Sequence, residues 1–288
     1  MKVAVTGAAG LLGGALVEVL SARHGVIPLT RAEADITDAA QVHQVIAKIR
    51  PDVIVHTAAI REPDASEAEP ARAFQVNVHG TRNVAEAAHA VGAAVAYIST
   101  DLVFDGKQQV PYKESDRAIP LSVYGRTKLR GERIVQSSPN HWVFRVSLLF
   151  GPGGDNLLEQ VPRAIAAGED YEAASDQEGS TTYTLDAARK ILEVVETEWY
   201  GLYHLSNQGV CSRLDIAQLA AELAGLDRRK VIGRTLDQMA RRAPRPKYHA
   251  MKMAALQERG FSLPRPWREA VAEYFRTRAS TSHAQSLH

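Results

Sequence analysis

Tyr124 and Lys128 stand four residues apart in the stretch LSVYGRTKLRGE, residues 121–132. That spacing puts two side chains on one face of a helix. A phenol can hand a proton to a carbonyl oxygen, but its ordinary pKa of about 10 is far from neutral pH. An ammonium group beside it favours the phenolate and draws that value down. Such pairs are also common by chance, so the meaning of this one depends on the rest of the chain.

The glycine-rich stretch TGAAGLLG, residues 6–13, is the first supporting part. Gly7, Gly10 and Gly13 form G-x-x-G-x-x-G between an apolar run (KVAVT) and a helical pattern. In that order they serve a tight turn, a close backbone approach to a pyrophosphate, and close helix–strand packing. The helix that follows offers unpaired N–H groups and the positive end of its dipole to phosphates. No Lys-Ser/Thr follows, which excludes a Walker loop, so the expectation is a dinucleotide. About 20 residues further on, an acid would hold the ribose 2′-OH of NAD. That position carries Thr30 and Arg31, with no carboxylate. A hydroxyl and an arginine suit a 2′-phosphate, so NADP(H) is preferred; an Arg31 stacked on adenine, or solvated, leaves NAD(H) open. Asp35 and Ile36, in ADITD, are placed either to line the adenine pocket or to form a simple turn and helix cap.

The segment STD, residues 99–101, ends the apolar run AVAYIST, and ligands of such sheets bind at strand carboxyl ends. Ser99 or Thr100 can present a hydroxyl to a substrate carbonyl. The expected chemistry is hydride transfer from the nicotinamide to a carbonyl carbon while Tyr124 protonates the oxygen. The nicotinamide cation adds to the pull of Lys128 on the phenol, and Lys128 can also hold the nicotinamide ribose. Glycine loop, STD and Y-x-x-x-K in this order are far more specific than any one of them.

These residues need a scaffold that brings strand ends together. Short apolar runs at 2–7, 25–30, 52–59, 94–101 and 141–151 alternate with helical patterns at 11–23, 39–50, about 70–91 and 124–136. Strands apolar throughout, separated by amphipathic helices, predict a parallel sheet covered on both faces, the doubly wound α/β (Rossmann) class. After Gly151 the rhythm changes. We expect residues 1–150 to form the dinucleotide-binding domain and 151–275 a smaller C-terminal substrate lobe, with about 185–207 returning to the main domain. The polar run 276–288 is expected to be a disordered tail.

The chain has 288 residues, 45% apolar and 23% charged, with net charge +1, which gives no global field for nucleic acid or membrane. Its one cysteine, Cys211, excludes an internal disulfide and fits a reducing, cytoplasmic setting. The N-terminal apolar stretch is broken by Gly7, Gly10, Gly13 and Gly14 and reads poorly as a signal or span. A homodimer is compatible with all of this. The ten histidines show no metal spacing and no metal site is predicted; His56 and His79 read as packing or polar-network residues. Between Leu226 and His249 the chain is strongly basic. Arginines there suit the diphosphate of a nucleotide sugar, and RRAPRPK, with Arg242 and Arg245, is the best placed part; most of the remaining charge reads as a solvated face.

Over residues 1 to about 275 the chain resembles an extended short-chain dehydrogenase/reductase of the dTDP-4-dehydrorhamnose reductase family. The resemblance is carried by TGAAGLLGGALVE, ADITD, RPDVIVHTAA, NVHGTRNVAEAAHAVGA, ISTDLVFDG, PLSVYGRTKLRGE, DQEGSTTYT, GLYHLSN and RPKYHAMKMAAL. It implies Tyr124 as proton donor, Lys128 as its partner, and Thr100 with Asp101 against a nucleotide-linked 4-keto-6-deoxy sugar. It further implies Gly10, Leu11, Leu12, Ala58 and Ala59 along the cofactor, and Asn77 near the lysine, for which an interior helix hydrogen bond is the other reading. The chain departs from the family on the sugar side. Leu102 and Leu148 stand where the family has aromatics, and AIREPDASE replaces a lysine-bearing stretch. The REPD version also resembles the non-catalytic regulatory subunit of methionine adenosyltransferase, and a sugar epimerase or dehydratase is a further alternative.

Overall fold

The computed structural model describes the backbone of residues 1–285 and the side chains of residues 1–278. Six parallel strands form the central sheet, in the spatial order Gly201–His204, His141–Val146, Ala94–Thr100, Val53–His56, Lys2–Thr6, Gly25–Leu29. Every residue of the Val53–His56 and Ala94–Thr100 strands is buried. Alternate side chains serve opposite faces, as the two-residue period of a strand demands. Val3, Val5, Val53, Val55, Ala96 and Ile98 join one core, with Leu12, Leu16 and Ile191 from the Leu11–Ser21 and Thr184–Val195 helices. Ala4, Ile54, Val95, Tyr97 and Val143 join the other, with Ile46, Val84 and Val135 from the Ala39–Ile49, Thr81–Val91 and Val123–Val135 helices. The order of strands reverses between Lys2–Thr6 and Val53–His56, which makes their carboxyl ends the crevice where a doubly wound sheet takes its ligand.

The run 141–151 is not one strand. His141–Val146 stays in the central sheet, whereas Leu148–Phe150 pairs with Thr181–Tyr183 in the lobe. Ser147 is the break, its hydroxyl directed to Asp101 and, at 2.6 Å, to the carbonyl of Ser180. The helix expected over about 70–91 contains a π-turn at Gln75–Gly80 between Pro70–Phe74 and Thr81–Val91. Such turns insert an extra residue and re-aim side chains; here Asn77 is the one re-aimed. The rest of the lobe consists of two small sheets and the Leu157–Ala166, Arg213–Leu223 and Trp267–Gln285 helices. Gly201–His204 extends the central sheet even though it follows the first lobe segments. The C-terminus differs from the expected disorder at 276. The last helix runs to Gln285, and Arg276 and Arg278 pair with Glu273 and Glu159 at 2.7 and 2.8 Å. Arg276 pairs within its own helix, whereas Arg278 ties that helix to Glu159 of Leu157–Ala166, a contact that the low apolar content of the run hid; residues 286–288 lie outside the described residues.

Candidate active site

Gly7 adopts φ +68°, a backbone region that L side chains rarely enter, and a Cβ there would meet the backbone of Ala58 at 2.7 Å. A Cβ on Gly13 would come within 2.2 Å of the Gly7 carbonyl oxygen. The loop therefore lies flat against the end of the neighbouring strand. The helix beginning at Leu11 has no side-chain cap and no acid in its first turn, which leaves its N–H groups to an anion. Above it opens a cavity of about 720 Å³. Gly7, Gly10, Leu11, Leu12 and Gly13 line its floor; Thr30, Arg31, Asp35 and Ile36 line one end. Ala58, Ala59, Ser99, Tyr124 and Lys128 line the rest. A cradle filled by backbone, uncapped at a helix start, fits the pyrophosphate of a dinucleotide.

Two carboxylates stand near Thr30 and Arg31: Asp35, which lines the cavity as expected, and Glu33, which sequence reasoning missed and which does not line it. Glu33 folds back onto Thr30, accepting from its N–H at 2.8 Å and from its hydroxyl. Asp35 meets the exposed Arg31 at 3.0 Å while its other oxygen takes the Thr37 N–H and hydroxyl at 3.0 and 2.7 Å. Asp35 thus both turns the chain and borders the cavity. Asn77 sits beside the helix of Lys128, bonded to the residue before it, and does not line the cavity as a cofactor-binding residue would. Its amide bridges the Ile60 N–H and carbonyl at 2.8 and 3.0 Å and reaches the Thr127 hydroxyl at 3.0 Å. Thr127 bonds back to the Tyr124 carbonyl at 2.8 Å, so Asn77 ties the loop after the third strand to the helix of Tyr124. The π-turn supplies that direction.

The Val123–Val135 helix is capped by the Ser122 hydroxyl, which accepts from the Gly125 N–H at 3.1 Å. Two glycines let it press on the strand beside it. A Cβ on Gly125 would lie 2.2 Å from the Leu102 carbonyl, and one on Gly131 2.2 Å from the Tyr97 hydroxyl. The buried stripe of this helix contains Tyr124, Lys128, Glu132 and Val135, as its period requires. Lys128 places its Nζ 4.1 Å from the centroid of the Tyr97 ring.

The expectation that Lys128 draws down the phenol is not met in this cleft. Burial raises Tyr124 above its ordinary value; a Thr100 hydrogen bond opposes it, and the charges of Asp101 and Glu62 reinforce it. Burial likewise pushes Lys128 down, to about 7, against the pull of Glu132. An apolar setting disfavours the charged form of each group.

A second cavity, of about 510 Å³, adjoins the first and shares Ser99, Tyr124 and Arg61 with it. Thr100, Asp101, Leu102, Leu148 and Arg245 line it. Arg242 does not; it is exposed, and its neighbour Arg241 faces the cavity instead. Arg213 also lines it, at the start of the Arg213–Leu223 helix, and Tyr171 and Gln177 complete one side. Arg213 carries no sequence signal, being one arginine before an ordinary helix. Arg245 reaches Asp64 of the Pro63–Ala68 helix at 3.1 Å, and the Ala243 N–H meets the same carboxylate at 2.8 Å, so the lobe is strapped to the main domain across the cleft. Asp101 is buried; burial raises its pKa, but His249 and Ser147 overcome this and hold it below the usual carboxylate value.

A family model described as RmlD substrate binding domain matches residues 1–280. The spore coat polysaccharide biosynthesis protein SpsK of Bacillus subtilis is 35% identical over 281 residues, covering 97% of this chain and 98% of its own length. The dTDP-4-dehydrorhamnose reductase of Mycolicibacterium smegmatis is 35% identical over 277 residues, 94% of this chain and 84% of that protein. The crystal structure of dTDP-4-dehydrorhamnose reductase from Bacillus anthracis in complex with NADP is 34% identical, covers 96% of this chain and 99% of that one, and superposes with a TM-score of 0.92.

Proposed function

The chain belongs to the RmlD substrate binding domain family, and on that premise we propose that it is an NADP(H)-preferring reductase of a nucleotide-linked 4-keto-6-deoxy sugar. The observation that carries the reading is the junction of two cavities at Tyr124, one walled by the glycine loop and the other by arginines. The glycine loop and the helix start at Leu11 would hold the dinucleotide phosphates, and Thr30 and Arg31 the adenosine end. NAD(H) is allowed as well, because Asp35 brings a carboxylate to the same end of the cavity. When bound, the nicotinamide supplies the hydride that reduces the ketone.

The chain's own residues do the rest. Tyr124, protonated and buried, gives its proton to the carbonyl oxygen as negative charge develops there. Lys128 lies one turn along the same face, where it can hold the nicotinamide ribose. Thr100 and Asp101 face the sugar, while Arg213, Arg241 and Arg245 take the diphosphate. Leu102 and Leu148 give the sugar end an apolar wall. The test is NADPH consumption by the purified protein with a panel of keto-sugar nucleotides. Oxidation with dTDP-4-keto-6-deoxy sugars is the expected result. NADPH that binds but is consumed with no member of the panel would overturn the reading, and would favour a cofactor-binding regulatory protein.

A further inference from the structure

His249 is fully buried, and it reaches across the fold to a residue 148 positions earlier. Its Nδ1 lies 2.6 Å from Oδ2 of Asp101. The same oxygen accepts the Ser147 hydroxyl, and Oδ1 accepts the Thr100 hydroxyl at 3.0 Å. The carboxylate beside the catalytic hydroxyl is thus held from three elements: the strand end at Thr100, the break at Ser147, and the Tyr248–His249 strand of the lobe.

The slot for the ring is made to measure. A Cβ on Gly179 would lie 2.2 Å from Cε1 of His249, so only glycine at that position admits the imidazole. A carboxylate accepts and does not donate, which fixes the hydrogen on Nδ1. Nε2, on the far side, is buried without a hydrogen-bond partner. An unpartnered buried polar atom is costly, and a side chain serving packing alone has no need of one. Costs of this kind persist where the surroundings over-determine a conformation that function uses.

The ring also connects the two ends of the substrate cavity. Tyr248–His249 pairs with Glu178–Gly179, which pairs with Cys211–Ser212, and Arg213 follows directly. Arg245 lies four residues before His249. The arginines that face the cavity and the imidazole that holds Asp101 therefore belong to one small sheet and its flanks.

We infer that His249 is a positioning residue for ketone reduction: by donating Nδ1–H to Asp101 Oδ2 it fixes the carboxylate whose Oδ1 holds the Thr100 hydroxyl in place beside Tyr124. The inference rests on the reductase reading of this site. Without the imidazole, the carboxylate loses a hydrogen bond and is free to turn, and Thr100 turns with it. A small misplacement of this kind slows the chemical step and leaves ligand binding intact.

The test compares His249→Ala with His249→Asn, whose side-chain amide can replace Nδ1–H. His249→Ala is expected to lower kcat by about 10- to 100-fold, with Kd for NADPH and inhibition by dTDP within about twofold of wild type. His249→Asn is expected to recover most of that loss. Equal loss in both variants, wild-type rates in both, or a rise in KM with kcat unchanged would overturn the inference. Wild-type protein that turns over no keto sugar defeats the reductase reading instead. If His249→Ala does not fold, NMR of protein with isotope-labelled histidine decides. A downfield Nδ1–H proton that Asp101→Asn abolishes supports the inference, and its absence overturns it.

Discussion

Arg145 and Glu132 form a doubly hydrogen-bonded ion pair beneath the helix of Tyr124, with Nε to Oε1 at 2.9 Å and Nη2 to Oε2 at 2.8 Å. Both side chains are buried, and Glu132 also accepts the Ser99 hydroxyl at 2.5 Å. The pair anchors the helix of Tyr124 and Lys128 to the ends of two central strands. Removing one partner leaves the other charge buried and alone, which costs about 3–5 kcal/mol. Glu132→Ala is expected to lose that much stability in urea unfolding; a loss below about 1 kcal/mol would show that the pair does not anchor the helix.

Lys128 holds its proton less tightly in the folded protein, at about 7, than its ordinary value of 10.5. Between those values the unfolded chain carries the extra proton, so stability rises with pH across that window. Below about 7 both states are protonated and the cost of burying the ammonium is fully present. Lys128→Met is therefore expected to be more stable than wild type at about pH 6, with the difference shrinking towards about pH 10. Urea midpoints measured across that range check this; a difference that does not change with pH would contradict it.

Arg213 and Arg241 border the second cavity, and Arg242 does not. If the first two hold a diphosphate, replacing either with alanine removes a charge-assisted contact and raises KM for the keto-sugar nucleotide by about 10-fold or more. Because such a contact serves ground state and transition state alike, kcat should hold near wild type. Arg242→Ala should change neither constant. Steady-state kinetics of the three variants, with equal effects at Arg241 and Arg242, would refute the assignment.

The cofactor side was legible in the sequence because its determinants are local. A strand, three spaced glycines and a helix occupy one continuous stretch, and Gly7, Gly10 and Gly13 line the cavity as their spacing predicts. Tyr124 and Lys128 share a face for the same reason. The lobe was less legible because its contacts are made at long range. Asp64 meets Arg245, and Asp101 meets His249, through packing that no local period records. Adjacent arginines such as Arg241 and Arg242 cannot be told apart until an irregular backbone turns one of them inward. The π-turn that re-aims Asn77 is likewise invisible in a pattern that reads as continuous helix. Burial explains the reversed expectation for Tyr124: sequence spacing shows its neighbour, Lys128, but not the low-polarity cleft that encloses both.

The central claim is that Tyr124 donates the proton that completes ketone reduction. Tyr124→Phe keeps the ring and removes only the hydroxyl, so NADPH oxidation by this variant, measured beside its Kd for NADPH, tests the claim most directly. The expected result is kcat lowered by about 100- to 10,000-fold with Kd within about twofold of wild type. A Tyr124→Phe protein that still reduces the keto sugar at close to the wild-type rate would contradict it.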